Sequence, residues 1–144
     1  MVRTILVGAA LAIGVTAAVA QTNVIETRRN TMKGVGAATR IGNQMSKGEI
    51  PFDAAKAKEV LATYAKAADV MHTYFPDTSK TGGETTASPK IWESQAEFRK
   101  RFDDWGAEIK KVSASADDLA SFRTAFGTVT QACNGCHETF RVKR

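Results

Sequence analysis

Two cysteines and a histidine near the end of the chain have the most distinctive chemistry. Cys133-Asn134-Gly135-Cys136-His137 has the spacing C-x-x-C-H, and these are the only two cysteines among the 144 residues. Thiols three residues apart on a helix lie on one side of a single turn, so both can add to the two vinyl groups of one porphyrin. The histidine that follows reaches the iron from the same side. The motif therefore predicts one covalently attached haem c, held by Cys133 and Cys136, with His137 as an iron ligand.

Three other kinds of site use a C-x-x-C pair, and each lacks something in this sequence. A thioredoxin-like redox pair lies at the start of a helix that follows a strand, whereas this pair lies late in a helical stretch without strands nearby. A zinc site requires about four ligands, and the only other histidine is His72. A disulfide between residues three apart within a helix has poor geometry. Haem attachment is the interpretation that fits best.

The ligand on the other side of the iron would decide what the haem does. A methionine thioether there gives a six-coordinate, low-spin iron suited to electron transfer, whereas an empty position leaves a high-spin iron that can bind a small gas. The candidates are Met32, Met45, Met71 and His72. A methionine in the apolar stripe of a helix usually only packs in the core, and this purely structural role is the alternative for each methionine.

Among these candidates the sequence favours Met32. Gly34 and Gly36 follow it, and glycines within a helix cost about 1 kcal/mol each relative to alanine. Close approach of the backbone to a flat cofactor would explain why they are tolerated. Met71 is expected to pack in the core, Met45 lies near the end of its helix, and His72 is expected to face solvent.

Four helical stretches, separated by breakers, must position these residues. They run from about 23 to 46, from after Pro51 to before Pro76, from Ser88-Pro89 onward, and from near 115 to about 142. Serine is a plausible N-cap for the third stretch, with proline at its first helical position. Inward-facing residues recur at steps of three and four; on the fourth stretch they are Leu119, Phe122, Phe126, Val129, Cys133, Cys136 and Phe140. The pattern predicts an all-α protein, an antiparallel four-helix bundle with covalently bound haem.

The start of the chain has the features of a secretion signal. Arg3 precedes an apolar run from Ile5 to Val19, and Ala18-Val19-Ala20 is a small-x-small cleavage pattern. A membrane anchor is less favoured because the run is shorter than the ~20 residues of a spanning helix. We therefore expect residues 1–20 to be a cleaved signal peptide and residues 21–144 to form a single four-helix-bundle cytochrome domain.

The charge of the chain is mildly basic. Lys and Arg number 20 and Asp and Glu 15, and the net charge of +5 falls to +4 if Arg3 leaves with the signal. Basic and acidic residues are interspersed, as on solvated helix faces, so no nucleic-acid partner is predicted.

The sequence resembles the cytochrome c-prime family, the class II c-type cytochromes, over the whole mature chain. The resemblance rests on C-x-x-C-H near the C-terminus of a four-helix pattern and on three segments: Glu26-Thr27-Arg28, Ser88-Pro89-Lys90-Ile91-Trp92 and 133–141. In that family the residue four after the first-helix arginine faces the distal side of the haem, and here that residue is Met32. Typical high-spin members have leucine, tyrosine or phenylalanine there. The chain is similar instead to the low-spin members, in which methionine is the sixth ligand.

The resemblance also implies roles for two arginines and for the protein as a whole. Arg28 would lie at the haem edge and pair with a propionate, and Arg141 would lie near the proximal face; otherwise both would be exposed surface arginines. The expected function is periplasmic electron transfer with redox partner proteins, as a monomer or homodimer without stable membrane insertion. The alternative is a five-coordinate protein that binds nitric oxide or carbon monoxide. No enzyme activity is expected, because no distal histidine has a plausible acid–base partner.

Overall fold

The computed structural model describes the backbone of residues 5–143 and the side chains of residues 23–143. The predicted signal peptide, residues 1–20, lies outside the residues whose side chains are described. The α-helices, in chain order, are α1 (Ile5–Lys47), α2 (Ala54–Val70), α3 (Lys90–Glu93), α4 (Gln95–Ser113) and α5 (Leu119–Phe140). Two 3₁₀ turns, Met71–Tyr74 and Asp77–Ser79, follow α2.

The four long helices form the predicted bundle. Helix α1 packs on α2 and α5, and α4 packs on α2 and α5, so that each long helix has two helical neighbours. Within residues 5–143 the only β-type pairing is an isolated bridge between Ala87 and Arg141. None of the described helices is both long and apolar enough to cross a membrane. The prediction of an all-α four-helix bundle is confirmed.

Side-chain caps and one break set the helix boundaries. Asp118 Oδ1 accepts from the Ser121 backbone N–H at 2.8 Å, and Ser121 Oγ accepts from the Asp118 N–H at 3.2 Å, a capping box that starts α5. Helix α3 begins at Lys90 with Pro89 as its N-cap and without a side-chain cap, so the predicted N-cap at Ser88 and first helical position at Pro89 are each one residue too early. Ser88 Oγ accepts from the Lys90 N–H at 3.2 Å just before this start. The predicted third helix is nevertheless interrupted, because Ser94 leaves the helical conformation (φ −135°, ψ 51°) and separates α3 from α4. Gln95, the first residue of α4 after this interruption, is exposed.

The inward-facing stripes of α1 and α5 form much of the core. On α5 the side chains of Phe122, Phe126, Val129 and Phe140 are buried, and Cys133 and Cys136 are half-buried on the same stripe. Within residues 23–47 of α1 the buried positions are Ile25, Arg28, Val35, Ala38, Gly42 and Met45, and Met32 and Thr39 are half-buried on the same stripe. The three-and-four spacing in the sequence therefore predicts the inward faces of both helices correctly.

Among the glycines of α1 within residues 23–47, only Gly42 is required by a contact between helices. A Cβ added at Gly42 would collide with the ring of Phe126, so the absence of a side chain at Gly42 lets this ring pack directly against the backbone of α1. A Cβ added at Gly34 or Gly36 would meet no protein atom within 4 Å. The close approach expected at Gly34 and Gly36 therefore has no protein partner, whereas Gly42 provides one that the sequence did not reveal.

Candidate haem site

The antiparallel register of α1 against α5 determines which residues face the cysteine motif. Arg123 Nε donates to the Ser46 backbone oxygen at 2.7 Å, and Gly42 lies against the ring of Phe126. Between these two contacts, four residues back along α1 correspond to three residues forward along α5, which is close to the one-to-one correspondence of two antiparallel helices of equal rise. Continued toward the motif, this register places Met32 level with Cys136 and His137.

The two cysteines have the chemistry that haem attachment requires. Cys133 and Cys136 are free, half-buried thiols on one turn of α5, and Cys136 packs against an apolar cluster that includes Phe98, Phe102 and Phe140. Burial raises the pKa of both thiols, so they remain protonated at neutral pH. Two reduced thiols on one turn with an imidazole beside them are the donor set of a c-type haem, and the residues present fit that cofactor.

His137 extends from the same turn toward solvent. Its side chain is exposed and makes no hydrogen bond to another residue within 23–143. Desolvation by neighbouring protein atoms, and then the positive charge of Arg141, lower the pKa of the imidazole. A lowered pKa favours the neutral ring, which is the form that binds a metal ion.

Met32 differs from the other methionines in its surroundings. It is half-buried and packs against two apolar clusters: the main core around Tyr64 and Phe126, and the cluster on which Cys136 also packs. Met45 is 0% exposed and Met71 is 5% exposed, so both are core residues. Among the predicted ligand candidates, Met32 combines partial exposure with a position level with the cysteine motif.

The prediction that His72 faces solvent is wrong. His72 is half-buried, its ring centroid lies 6.4 Å from that of Phe102, and its Nδ1 is buried with no hydrogen-bond partner. The side chain borders two cavities of about 560 and 310 Å³, and neither is lined by Cys133, Cys136 or Met32. The chain tightens into a 3₁₀ turn at Met71–Tyr74, and this larger angular step per residue turns His72 toward α4.

Arg28 is buried, contrary to the alternative of an exposed surface arginine. It is 4% exposed, and its guanidinium carbon lies 4.5 Å from the ring centroid of Phe75. Nη1 donates to the Tyr74 backbone oxygen at 3.3 Å and to Ser79 Oγ at 3.0 Å. Nη2 donates to the Ser79 backbone oxygen at 3.2 Å and to Thr85 Oγ1 at 3.4 Å. The guanidinium therefore holds the loop between α2 and α3, a role that no local pattern in the loop sequence indicated.

The two predicted arginines have different environments. Desolvation lowers the pKa of Arg28, and no carboxylate within residues 23–143 forms an ion pair with it. Arg141 is exposed, and its backbone N–H donates to the His137 backbone oxygen at 3.2 Å at the end of α5. The register of α1 against α5 places Arg28 level with Phe140 and Arg141, one helical turn beyond His137.

Replacing Arg28 with leucine should destabilise the protein by about 2–4 kcal/mol, because Ser79 and the loop carbonyls lose a charged donor in a buried site. Arg29→Leu is the matched control. Arg29 pairs with Glu84 at 2.7 Å, but the side chains are 44% and 70% exposed, so its loss should cost less than about 1 kcal/mol. Urea unfolding followed by circular dichroism measures both changes. Equal losses in the two variants would show that the loop does not depend on Arg28.

Comparison with known proteins identifies the class to which this fold and motif belong. The family model described as Cytochrome C′ matches residues 23–141. A cytochrome c′ of Rhodopseudomonas palustris is 40% identical over 127 residues, covering 88% of this chain and 87% of the relative. A cytochrome c-556 of Agrobacterium fabrum is 35% identical over 128 residues, covering 83% of this chain and 82% of the relative.

Solved structures show the same architecture. Cytochrome c′ from Rhodopseudomonas palustris superposes with a TM-score of 0.80 at 38% identity, over 85% of this chain and 98% of the other. A nitric oxide complex of a mutant cytochrome c prime from Alcaligenes xylosoxidans gives a TM-score of 0.74 at 27% identity, over 85% and 97%. The chain belongs to the cytochrome c′ family. It is a c-type cytochrome, and its cofactor is one covalently attached haem c.

Proposed function

We propose that the protein is a periplasmic electron carrier with one low-spin haem. Cys133 and Cys136 would hold the haem by two thioether bonds, and His137 and Met32 would be the two protein ligands of the iron. The observation that carries the proposal is the position of Met32 on the inward stripe of α1, level with Cys136 and His137 and packed against the same apolar cluster as Cys136.

The residues around the motif suit a carrier that exchanges electrons without releasing a product. The haem supplies a one-electron couple. A thioether from Met32 would favour the reduced state and keep the coordination the same in both states, so little rearrangement accompanies transfer. The aromatic side chains Phe98, Phe102 and Phe140 exclude water from the cysteine side of the site.

The remaining predicted features belong to the same proposal. Residues 1–20 direct export and are removed, and residues 21–144 act as a single domain with redox proteins of the periplasm. Arg28 and Arg141 are candidate partners of the haem propionates. The Nε of Arg28 makes no hydrogen bond to any described residue, so its buried cation retains a donor for an anion. No catalytic residue is proposed.

Gas binding is the second candidate function. A nitric oxide complex is known for the mutant cytochrome c prime of Alcaligenes xylosoxidans described above, to which this chain is similar. For this function the sulfur of Met32 must lie beside the iron without bonding to it, leaving the distal position free for nitric oxide or carbon monoxide.

The optical spectrum of the exported holoprotein, ferric and ferrous, with and without carbon monoxide, tests the two functions. Electron transfer through a His137/Met32 haem is expected to give a low-spin spectrum, a weak methionine-to-iron band in the far red and little response to carbon monoxide. A high-spin spectrum that changes at once on adding carbon monoxide would overturn the ligation by Met32 and support gas binding.

A further inference from the structure

A buried hydrogen bond connects α1 to α2 two turns beyond Met32. Thr39 Oγ1 and the Tyr64 hydroxyl oxygen are 2.7 Å apart, and Tyr64 is 0% exposed. Thr39 donates its one proton to the Val35 backbone oxygen at 2.8 Å, so Tyr64 is the donor in the bond between the two hydroxyls. Burial is the main cause that raises the pKa of Tyr64 to about 12, and the phenol therefore remains a donor at any physiological pH.

The ring of Tyr64 is itself fixed against α4 and α5. Its centroid lies 5.7 Å from that of Trp105 and 6.3 Å from that of Phe126. The Trp105 indole N–H donates to the Val129 backbone oxygen at 3.0 Å, one helical turn before Cys133. These contacts hold the hydroxyl of Tyr64 in place relative to α5, the helix that carries the cysteine motif. The hydrogen bond from this hydroxyl to Thr39 then connects α1 to α5 through Tyr64.

We propose that the Thr39–Tyr64 hydrogen bond positions α1 so that Met32 approaches the iron, which makes Tyr64 and Thr39 positioning residues for the distal ligand. The inference rests on the proposed function. Thr39 and Met32 lie on the same stripe of α1, separated by roughly 10 Å along the helix axis. A ligand must be held within about 0.5 Å of its productive position. A lateral shift of α1 that breaks the bond would therefore move Met32 away from the iron.

Thr39→Val and Thr39→Ser form the decisive pair of variants, because valine preserves the shape of threonine and serine preserves the hydroxyl. In Thr39→Val the methionine-to-iron band should weaken, and the rate of carbon monoxide binding should rise about tenfold. This is the factor expected if the whole free energy of one buried hydrogen bond contributes to holding Met32 at the iron. In Thr39→Ser both quantities should stay within about twofold of the wild type. A rate rise in Thr39→Val that Thr39→Ser does not share would follow from loss of the hydrogen bond and not from a change in side-chain volume, because serine is the smaller side chain.

Tyr64→Phe removes the same bond from the other side, and Tyr74→Phe is its matched control. Tyr74 is half-buried, and its hydroxyl makes no hydrogen bond within the described side chains. Tyr64→Phe should behave as Thr39→Val does, whereas Tyr74→Phe should leave the spectrum and the carbon monoxide rate unchanged. If Tyr64→Phe fails to fold, the Thr39 pair decides alone.

Equal carbon monoxide rates in Thr39→Val and Thr39→Ser would overturn the positioning role. A wild-type protein with a high-spin spectrum would overturn the proposed ligation instead, and the two failures are distinguishable. In such a protein Met32 would still stand beside the distal position, and Thr39→Val should still change the carbon monoxide rate relative to Thr39→Ser. Equal carbon monoxide rates in the two Thr39 variants of a high-spin protein would overturn both the ligation by Met32 and the positioning role of the Thr39–Tyr64 bond.

Discussion

Replacing Met32 with alanine is expected to convert the haem iron from low spin to high spin while the haem remains covalently attached. The thioether is lost, and the shorter side chain opens the distal position to carbon monoxide. Because a methionine ligand raises the reduction potential, the potential should fall by on the order of 0.1 V. Optical spectra of both redox states, a carbon monoxide titration and a redox titration measure these changes.

Two kinds of variant separate ligation from packing. Met32→Leu keeps a side chain of similar volume without the sulfur and should also become high spin, although with slower carbon monoxide binding than Met32→Ala. Met45→Leu and Met71→Leu alter buried methionines of the core, where a volume-conserving change costs less than about 1.5 kcal/mol, and should leave the spectrum low spin. A low-spin spectrum that persists in Met32→Ala and Met32→Leu would exclude Met32 as the ligand.

Replacing both Cys133 and Cys136 with serine is expected to abolish covalent haem attachment. The sequence has no third cysteine, so no other thiol can substitute for them. Haem staining after denaturing electrophoresis should be absent for the double variant. Each single variant should retain at most one thioether bond, which the ferrous pyridine complex reports as a shift of its visible band to longer wavelength.

Asn134→Ala is the control for the cysteine variants. Asn134 lies between the two cysteines on the exposed side of α5, so its loss leaves both thiols and the helix in place. Haem attachment in this variant should equal that of the wild type. Haem staining in the double serine variant, or its loss in Asn134→Ala, would contradict attachment through the two thiols alone.

Local spacing was sufficient to predict most of the fold. The inward residues of α5 recur at steps of three and four, and burial of Phe122, Phe126 and Val129 follows directly from that period. The Ser88-Pro89 pair indicated the start of a helix to within one residue, since α3 begins at Lys90 with Pro89 as its N-cap. The interruption at Ser94 was not readable, because it depends on how two successive helical segments pack on the rest of the bundle.

The sequence by itself determined the cofactor chemistry, since two thiols and an imidazole within five residues define their own geometry on one helical turn. Only the tertiary structure decided how distant segments meet. The position of Met32 opposite Cys136 and His137 follows from the contacts of α1 with Arg123 and Phe126. The burial of Arg28 follows from its hydrogen bonds to a loop about 50 residues away. The Thr39–Tyr64 bond likewise joins two helices. Periodicity along one helix specifies which face is inward, but the axial offset between two helices arises from the fit of their side chains.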